Sequence, residues 1–153
     1  MNWPDSHCRI EVSLDRQQVA LFRDGEKVFE AFASTAANGA GFEEGSNRTP
    51  TGKFVVRERI GEGAPLHTSF KGRLPRKIWR GEKLDDAILT RILWLHGIDS
   101  ENSNTYLRYI YFHGTNAEDL IGRPASHGCI RLANKQMLEL FELTSIGTAV
   151  QIS

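Results

Sequence analysis

The sequence has little that would direct it to a membrane, to a nucleic acid or out of the cell. Its longest apolar runs fall far short of the roughly 20 residues that a membrane-spanning helix needs. Lys plus Arg equals Asp plus Glu at 19 each, so no net basic field favours nucleic acid or an anionic membrane. Residues 1–15 lack the basic region, apolar core and small-residue cleavage site of a signal peptide. We therefore predict no nucleic-acid and no membrane partner, and a cytoplasmic location if Met1 is the native start.

Cysteine is also scarce, since only Cys8 and Cys129 are present. Two thiols in a chain without an export signal are expected to be reduced rather than bridged. A chain of 153 residues buries about 70% of its unfolded surface, so it needs neither a disulfide nor a metal to fold. We predict one domain over residues 1–153 and interpret Cys8 as incidental.

The patterning that is present predicts a mostly β chain with one or two helices. Residues 8–35 alternate apolar and polar side chains as consecutive short strands, with Asp24-Gly25 as a hairpin turn. Further strands are predicted at 53–60, 88–97, 106–114 and 148–152. Helical spacing after Cys129 predicts one helix, with Asn134 as its N-cap and Gly147 just past its end.

Two long segments have no regular pattern. Residues 36–52 are rich in Gly and polar side chains and are predicted to be a loop. Residues 61–86 show no clear period, and loops of this length inside a compact domain are more often functional than idle. The most basic stretch, residues 71–83, is interpreted as a solvated loop, with binding of an anionic substrate or partner as the alternative.

Cys129 is the candidate nucleophile. A thiol attacks as a thiolate and needs a base or an electropositive setting at neutral pH. His96, His113 and His127 are the candidate bases, and we favour His113 because a base at the end of a separate strand can face the thiol. The carbonyl of Gly114 is in position to accept the proton of the far ring nitrogen and fix the tautomer.

The residues around Cys129 supply further candidates. Gly128 leaves room beside the sulfur, and backbone N–H groups at 127–129 can point towards a developing oxyanion. Arg131 lies two residues beyond Cys129, so an extended backbone would put both on one side, where a guanidinium can hold a carboxylate. The residue types alone leave three alternatives open: a small buried cysteine, a zinc site from these histidines and Cys129, and a non-catalytic binding module.

The stretch "HGTNAEDLIGRPASHGCIRL", residues 113–132, resembles the signature of the L,D-transpeptidase catalytic domain, or YkuD domain. "TPTGKF" at 49–54 resembles the strand entry of that family, residues 14–35 resemble its opening strands, and "GTAVQI" resembles its last strand. The resemblance implies a β-sandwich-like fold with one or two short helices. It also implies that residues 61–90 are a capping insert.

The resemblance further implies a cysteine acyl-transfer enzyme acting on peptidoglycan tetrapeptide stems. Such enzymes cleave between the diamino acid, usually meso-diaminopimelate, and the terminal D-Ala through a thioester. Cys129 would be the nucleophile, His113 the base and Gly114 its orienting carbonyl. Ser126 would hold the loop in shape, and the oxyanion and substrate region would contain His127, Gly128 and Arg131. The resemblance implies no cofactor and no metal. It does imply susceptibility to carbapenems.

The motif does not choose the group that resolves the thioester. The missing export signal and wall-binding module favour water, and hence an L,D-carboxypeptidase of murein recycling. The alternative is an L,D-transpeptidase that forms cross-links or exchanges D-amino acids, in the periplasm or cell wall if the chain is a trimmed piece. An inactive module that binds stem peptides is the second alternative. His96 has no role in the motif and is interpreted as structural.

Overall fold

The computed structural model describes residues 5–153, with side chains from His7 onward. This part of the chain contains ten β-strands and one α-helix, which confirms the predicted mostly β, single-domain fold. The strands are β1 (Asp5–Ser13), β2 (Gln18–Arg23), β3 (Glu26–Phe32), β4 (Gly52–Ile60), β5 (Thr68–Lys71), β6 (Leu74–Ile78), β7 (Ile88–Gly97), β8 (Tyr111–Thr115), β9 (Ile130–Leu132) and β10 (Thr148–Ile152). The helical elements are α1 (Asn134–Leu143) and two 3-10 helices, Tyr106–Arg108 and Glu118–Leu120. Within residues 5–153, no helix has the length and apolarity to span a membrane.

Hydrogen bonds join the strands into one sheet that curves around a single core. From one end the order is β3-β2-β1-β10-β4-β7, and β7 then pairs with β8, which pairs with β9. The β5–β6 hairpin pairs with the beginning of β7. Ser34, just after β3, forms a bridge with Arg131 of β9, so the two ends of the sheet meet. The pairs β1–β10 and β8–β9 are parallel, and the other pairs are antiparallel.

Alternation along the strands decides which side chains enter the core. Phe112 of β8, with Ile130 and Leu132 of β9, is fully buried in the main apolar cluster. α1 closes this cluster with Met137, Leu140 and Phe141. Because successive side chains of a strand point to opposite faces, the residues between them face away from the main core. That second face carries the candidate site.

The opening hairpin agrees with its sequence signal. Asp24 and Gly25 join β2 to β3 with φ values of 50° and 84°, and Arg23 pairs with Glu26. Two central residues with positive φ match the right-handed twist of the flanking strands. The predicted strands at 53–60, 88–97 and 148–152 are also confirmed, as β4, β7 and β10.

The prediction of an unbroken loop at 61–86 was wrong. This segment contains the β5–β6 hairpin, joined by the two-residue turn Gly72-Arg73. All five residues of β6 are exposed, so the strand lacks the apolar alternation by which strands are recognised. Only Phe70 of β5, which is 6% exposed, anchors the hairpin in an apolar cluster.

Two predicted boundaries also needed correction. The strand predicted at 106–114 begins only at Tyr111, because Tyr106–Arg108 form a 3-10 helix that ends at Tyr109 with φ 57°. Asn134 is not the N-cap: Ala133 has that place, and α1 ends at Leu143, before the predicted stop. The Asn134 side chain is instead drawn to β7 and β8, where its Nδ2 donates to the Thr115 carbonyl at 2.8 Å.

Candidate active site

The site lies on the face of β7, β8 and β9 that points away from the main core. Ile92 pairs with His113, Trp94 with Tyr111, and His113 in turn with Arg131. Paired residues share a face, so these side chains form one floor. Cys129 lies two residues before Arg131 and packs against the cluster of Phe70, Ile92, Trp94 and Tyr111. The structure thus brings Cys129, His113 and Arg131 together from two parallel strands.

The Cys129 thiol is half-buried and held by backbone groups of the strand beside it. Its Sγ accepts a hydrogen bond from the Tyr111 N–H at 3.3 Å and donates to the Tyr109 carbonyl at 3.3 Å. Burial raises the pKa of the thiol to about 12, and the Tyr111 N–H opposes this rise. At neutral pH the proton therefore stays on the sulfur of the resting protein.

His113 is oriented by the residue that follows it. Its Nδ1 lies 2.5 Å from the Gly114 carbonyl oxygen, which can only accept, so Nδ1 carries the proton and Nε2 presents a lone pair. Gly114 is required for close packing: a Cβ there would lie 2.2 Å from Asn134 Oδ1 and 2.7 Å from the Leu89 carbonyl oxygen. A side chain at 114 would therefore push the end of β8 away from its neighbours.

The imidazole of His113 is 1% exposed. Burial lowers its pKa from 6.5 to about 4, although the Gly114 carbonyl and the negative charge of Asp86 favour the protonated form. In the resting protein the His113 imidazole and the Cys129 thiol are therefore both neutral. Such a pair can act by general-base catalysis, in which the proton moves only as the sulfur attacks.

A network of hydroxyls shapes the loop that carries Cys129. Ser126 Oγ donates to the Cys129 carbonyl at 2.6 Å and accepts from the Gly128 N–H at 3.2 Å. Thr49 Oγ1 donates to the Gly128 carbonyl at 2.9 Å and accepts from the Ala36 N–H at 3.0 Å. Gly128 has φ 123°, in the region that favours glycine. The loop is therefore held by Ser126, which belongs to it, and by Thr49, which lies in the segment preceding β4.

Arg131 is almost fully buried, with 4% of its surface exposed. Its Nη2 donates to Asp86 Oδ1, and the other carboxylate oxygen, Oδ2, lies 3.0 Å from Nδ1 of the exposed His127. Asp86 lies between β6 and β7, so a residue of the 61–90 segment joins two residues of the nucleophile region. The positive charge of Arg131 is therefore already paired with the Asp86 carboxylate.

The electrostatics of Asp86 reflect this position. Burial alone would raise the pKa of its carboxyl, but the hydrogen bond with His127 and the positive charge of Arg131 outweigh burial and lower that pKa. The ionised carboxylate in turn raises the pKa of Cys129 and of His113. Asp86 is therefore coupled by charge to both members of the candidate pair.

The remaining sequence candidates lie apart from this arrangement. His96 lies four residues beyond Ile92 on β7, or about 13 Å along the strand, and its Nδ1 is 3.4 Å from Arg57 Nη1. In residues 7–153, no three His, Cys, Asp or Glu side chains are grouped as a metal site would require. Cys8 and Cys129 are both free thiols, and Cys8 is buried beside Arg23.

Sequence reasoning missed three residues that build the site. Thr49 was seen only as part of a strand entry, although the "TPTG" motif was a signal that could have drawn attention to it. Asn134 was assigned to a helix cap, whereas its Oδ1 accepts from Thr90 Oγ1 at 2.7 Å and it packs against Gly114. Asp86 had no local signal, because its partners Arg131 and His127 are more than 40 residues away.

The chain is similar to known proteins in both sequence and fold. The family model described as YkuD, L,D-transpeptidase catalytic domain, matches residues 8–152. The chain is 37% identical over 105 residues to the putative L,D-transpeptidase YqjB of Bacillus subtilis, which covers 69% of this chain and 52% of that protein. The chain spans about half the length of the curated relatives that it matches over 100 residues or more.

Solved structures share the fold at low sequence identity. An L,D-transpeptidase from Xylanimonas cellulosilytica superposes with a TM-score of 0.64 and 22% identity, covering 100% of this chain and 64% of that one. The L,D-transpeptidase LdtMt1, solved in complex with imipenem, gives a TM-score of 0.61 and 16% identity, over 96% of this chain and 59% of that one. Because the family model spans nearly the whole chain, the protein belongs to the YkuD family of L,D-transpeptidase catalytic domains.

Proposed function

We propose that the protein is an L,D-carboxypeptidase that removes the terminal D-Ala from peptidoglycan tetrapeptide stems. Members of its family are L,D-transpeptidases, enzymes that act on such stems. The observation that carries the proposal is that His113 pairs with Arg131, two residues beyond Cys129, so strand alternation puts the thiol and the imidazole on one face, with the Nδ1 proton of His113 held by the Gly114 carbonyl.

The first half of the reaction forms a thioester. His113 Nε2 takes the thiol proton as Cys129 Sγ attacks the carbonyl carbon of the diamino acid. The resulting imidazolium then gives the proton to the leaving amine, and D-Ala departs with the bond electrons. A base with an unprotonated Nε2 is needed at the start, and burial of His113, which lowers its pKa, supports that state at neutral pH.

The oxyanion formed in this step needs hydrogen-bond donors close to the sulfur. The Gly128 N–H already donates to Ser126 Oγ, so we assign the contact to the backbone N–H groups of His127 and Cys129. A single donor of this kind contributes about 3 kcal/mol to transition-state stabilisation. Ser126 and Thr49 have a positioning role here, because they hold the loop that presents these groups.

The second half resolves the thioester, and charge favours water over an amine. The hairpin region 71–83 contains six Lys or Arg and one Glu. The amine that attacks in a cross-linking reaction is mostly ammonium at neutral pH, and the basic rim formed by residues 71–83 repels that group while attracting the carboxylates of the same stem. Water is not affected. Hydrolysis returns a tripeptide carboxylate and the free Cys129 thiol.

We also propose that the 61–90 segment covers the site as a cap. Phe70 packs on the floor residues Trp94 and Tyr111, and Asp86 contacts Arg131 and His127. The hydrogen bonds of the cap to the nucleophile region support a fixed rather than a loose arrangement.

Mass spectrometry of the protein incubated with disaccharide-tetrapeptide tests the proposal. We expect conversion to disaccharide-tripeptide and loss of conversion in Cys129→Ala. Cys8→Ala is the matched control, because it removes the other thiol and should retain activity. Absence of any product, together with tight stem binding, would support the inactive binding module instead.

The same assay separates the two enzymatic outcomes. Adding a free D-amino acid or an acceptor stem offers an amine in competition with water. If exchanged or cross-linked products dominate over tripeptide, the protein is an L,D-transpeptidase and the argument from the basic rim is refuted.

A further inference from the structure

The tip of the β5–β6 hairpin has an unusual residue for its conformation. Gly72 and Arg73 are the two central residues of the turn, and both have positive φ, at 57° and 64°. Glycine, Asn and Asp dominate such positions because a larger side chain is strained there. Arg73 therefore occupies a place where glycine would be more favourable for folding alone, and such strain directs attention to what its side chain does.

The Arg73 side chain reaches from the cap to the floor of the site. Its Nη1 donates to the Tyr111 hydroxyl at 3.3 Å. Its Cζ lies 5.0 Å from the ring centroid of Trp94 and 5.1 Å from that of Tyr109, distances typical of cation–π contacts. The guanidinium is therefore held above an aromatic surface while remaining half-buried.

This surface is directly connected to the nucleophile. The backbone N–H of Tyr111 donates to Cys129 Sγ, and the carbonyl of Tyr109 accepts from it. Arg73 thus contacts the side chains of the two residues whose backbones hold the thiol. A group bound by Arg73 would lie beside the peptide bond that Cys129 attacks.

Arg73 has no carboxylate partner within residues 7–153, and it differs from the exposed Lys71 and Arg76 of the same hairpin in being held against the aromatic floor. Lys77 on the same hairpin lies 3.2 Å from Glu82, and Arg131 is paired with Asp86. The contacts of Arg73 are a neutral phenol and two aromatic rings. A cation held in place without a counter-ion, next to a nucleophile, has the chemistry to receive an anion.

We propose that Arg73 binds a carboxylate of the donor stem and is the substrate-binding residue contributed by the cap. The inference rests on the proposed function, in which the donor is a tetrapeptide stem. Two carboxylates of such a stem belong to the residues that the scissile bond joins: the C-terminal carboxylate of D-Ala and the side-chain carboxylate of the diamino acid. Arg131 differs from Arg73 in that its Nη2 is already paired with the Asp86 carboxylate.

Steady-state hydrolysis of three peptides tests the inference: the tetrapeptide, its C-terminal amide, and the form amidated on the diamino-acid side chain. Arg73→Gln should raise KM for the tetrapeptide at least about tenfold, the lower range for a hydrogen bond to a charged group, with kcat little changed. The loss should disappear for the one amide whose carboxylate Arg73 binds, which identifies that carboxylate. Arg76→Gln, at an exposed position on β6, removes the same charge from the hairpin and should leave KM unchanged.

Arg73→Gly separates binding from a structural role. Glycine relieves the strain at φ 64°, so Arg73→Gly should have a higher melting temperature than Arg73→Gln, which loses the same contacts, while KM rises equally in both. Equal losses on all three peptides, or an unchanged KM in both variants, would overturn the inference.

A binding measurement distinguishes failure of this inference from failure of the proposed function. Calorimetry with the three peptides compares Cys129→Ala with Cys129→Ala/Arg73→Gln, neither of which needs turnover. If the wild type hydrolyses nothing but Arg73→Gln weakens binding of the tetrapeptide about tenfold, the carboxylate contact holds and the proposed reaction does not. If hydrolysis proceeds and binding of the tetrapeptide is insensitive to Arg73→Gln, the proposed reaction holds and the carboxylate contact does not.

Discussion

Acid should destabilise this protein through one buried imidazole. His113 is 1% exposed, and burial lowers its pKa from 6.5 to about 4. Between these pH values the unfolded chain binds a proton at this residue and the folded protein does not, so protons favour unfolding. The contribution to stability is complete above pH 6.5 and is lost as the pH falls to about 4. The difference corresponds to roughly 3 kcal/mol of unfolding free energy.

Urea unfolding at pH 7, 6, 5 and 4 measures this loss. The wild type is compared with His113→Gln, which keeps a polar side chain that cannot take up the proton. The loss of unfolding free energy between pH 7 and pH 4 should be smaller in His113→Gln by roughly 3 kcal/mol. The difference between the two proteins cancels the contribution of every other titrating group.

His7→Gln is the control for this comparison, because the His7 side chain is 77% exposed and folding removes little water from it. This variant should lose at least as much stability on acidification as the wild type, because it lacks the contact between the His7 imidazole and Asp24. If His113→Gln lost as much unfolding free energy as the wild type, the His113 imidazole would be hydrated in the folded protein. The conclusion that this imidazole is neutral in the resting protein would then be wrong.

Three further predictions concern the nucleophile and its supports. Alkylation of Cys129 by iodoacetamide, followed by mass spectrometry, should be slow at pH 7 and rise towards pH 12, because burial raises the thiol pKa to about 12. Asp86→Asn should speed alkylation at a fixed pH, because the Asp86 carboxylate raises the pKa of the Cys129 thiol. The same variant should lower the free energy of unfolding by about 2 kcal/mol, because Arg131 loses its counter-ion. Gly114→Ala should cost about 3 kcal/mol in urea unfolding, because its Cβ would lie 2.2 Å from Asn134 Oδ1.

Each of these has a clear contrary result. An alkylation rate that levels off near pH 8 would show an ordinary, solvated thiol at position 129. Asp85→Asn removes a neighbouring charge and is the control for Asp86→Asn, so equal rates in both variants would refute a specific effect of Asp86. A Gly114→Ala protein as stable as the wild type would show that Asn134 can move without cost.

Local patterns predicted much of the fold, because the rules they follow act over a few residues. Asp24-Gly25 specifies a hairpin by its tolerance of positive φ, and continuous apolar residues made β7 visible. The β5–β6 hairpin was not predicted, because β6 is exposed at all five positions and has no apolar alternation. Asn134 was misassigned because tertiary partners on β7 and β8 outcompete the local capping bond.

The sequence by itself determined the candidate pair and its local support. The spacing of Cys129 and Arg131 placed them on one side of an extended backbone, His113 ended a separate strand, and glycine followed it. These predictions need only strand alternation and the chemistry of thiol and imidazole. The structure puts the residues on one face of β8 and β9 and brings His113 Nδ1 to the Gly114 carbonyl.

Only the tertiary structure decided what surrounds that pair. It buries Arg131 against Asp86 and holds Arg73 over the aromatic surface beside the thiol. It also buries His113, which lowers the imidazole pKa to about 4. Each of these depends on contacts between segments distant along the chain, or on the exclusion of water by a packed core. Residue types and spacing do not contain that information, because burial and long-range ion pairs exist only once the chain has folded.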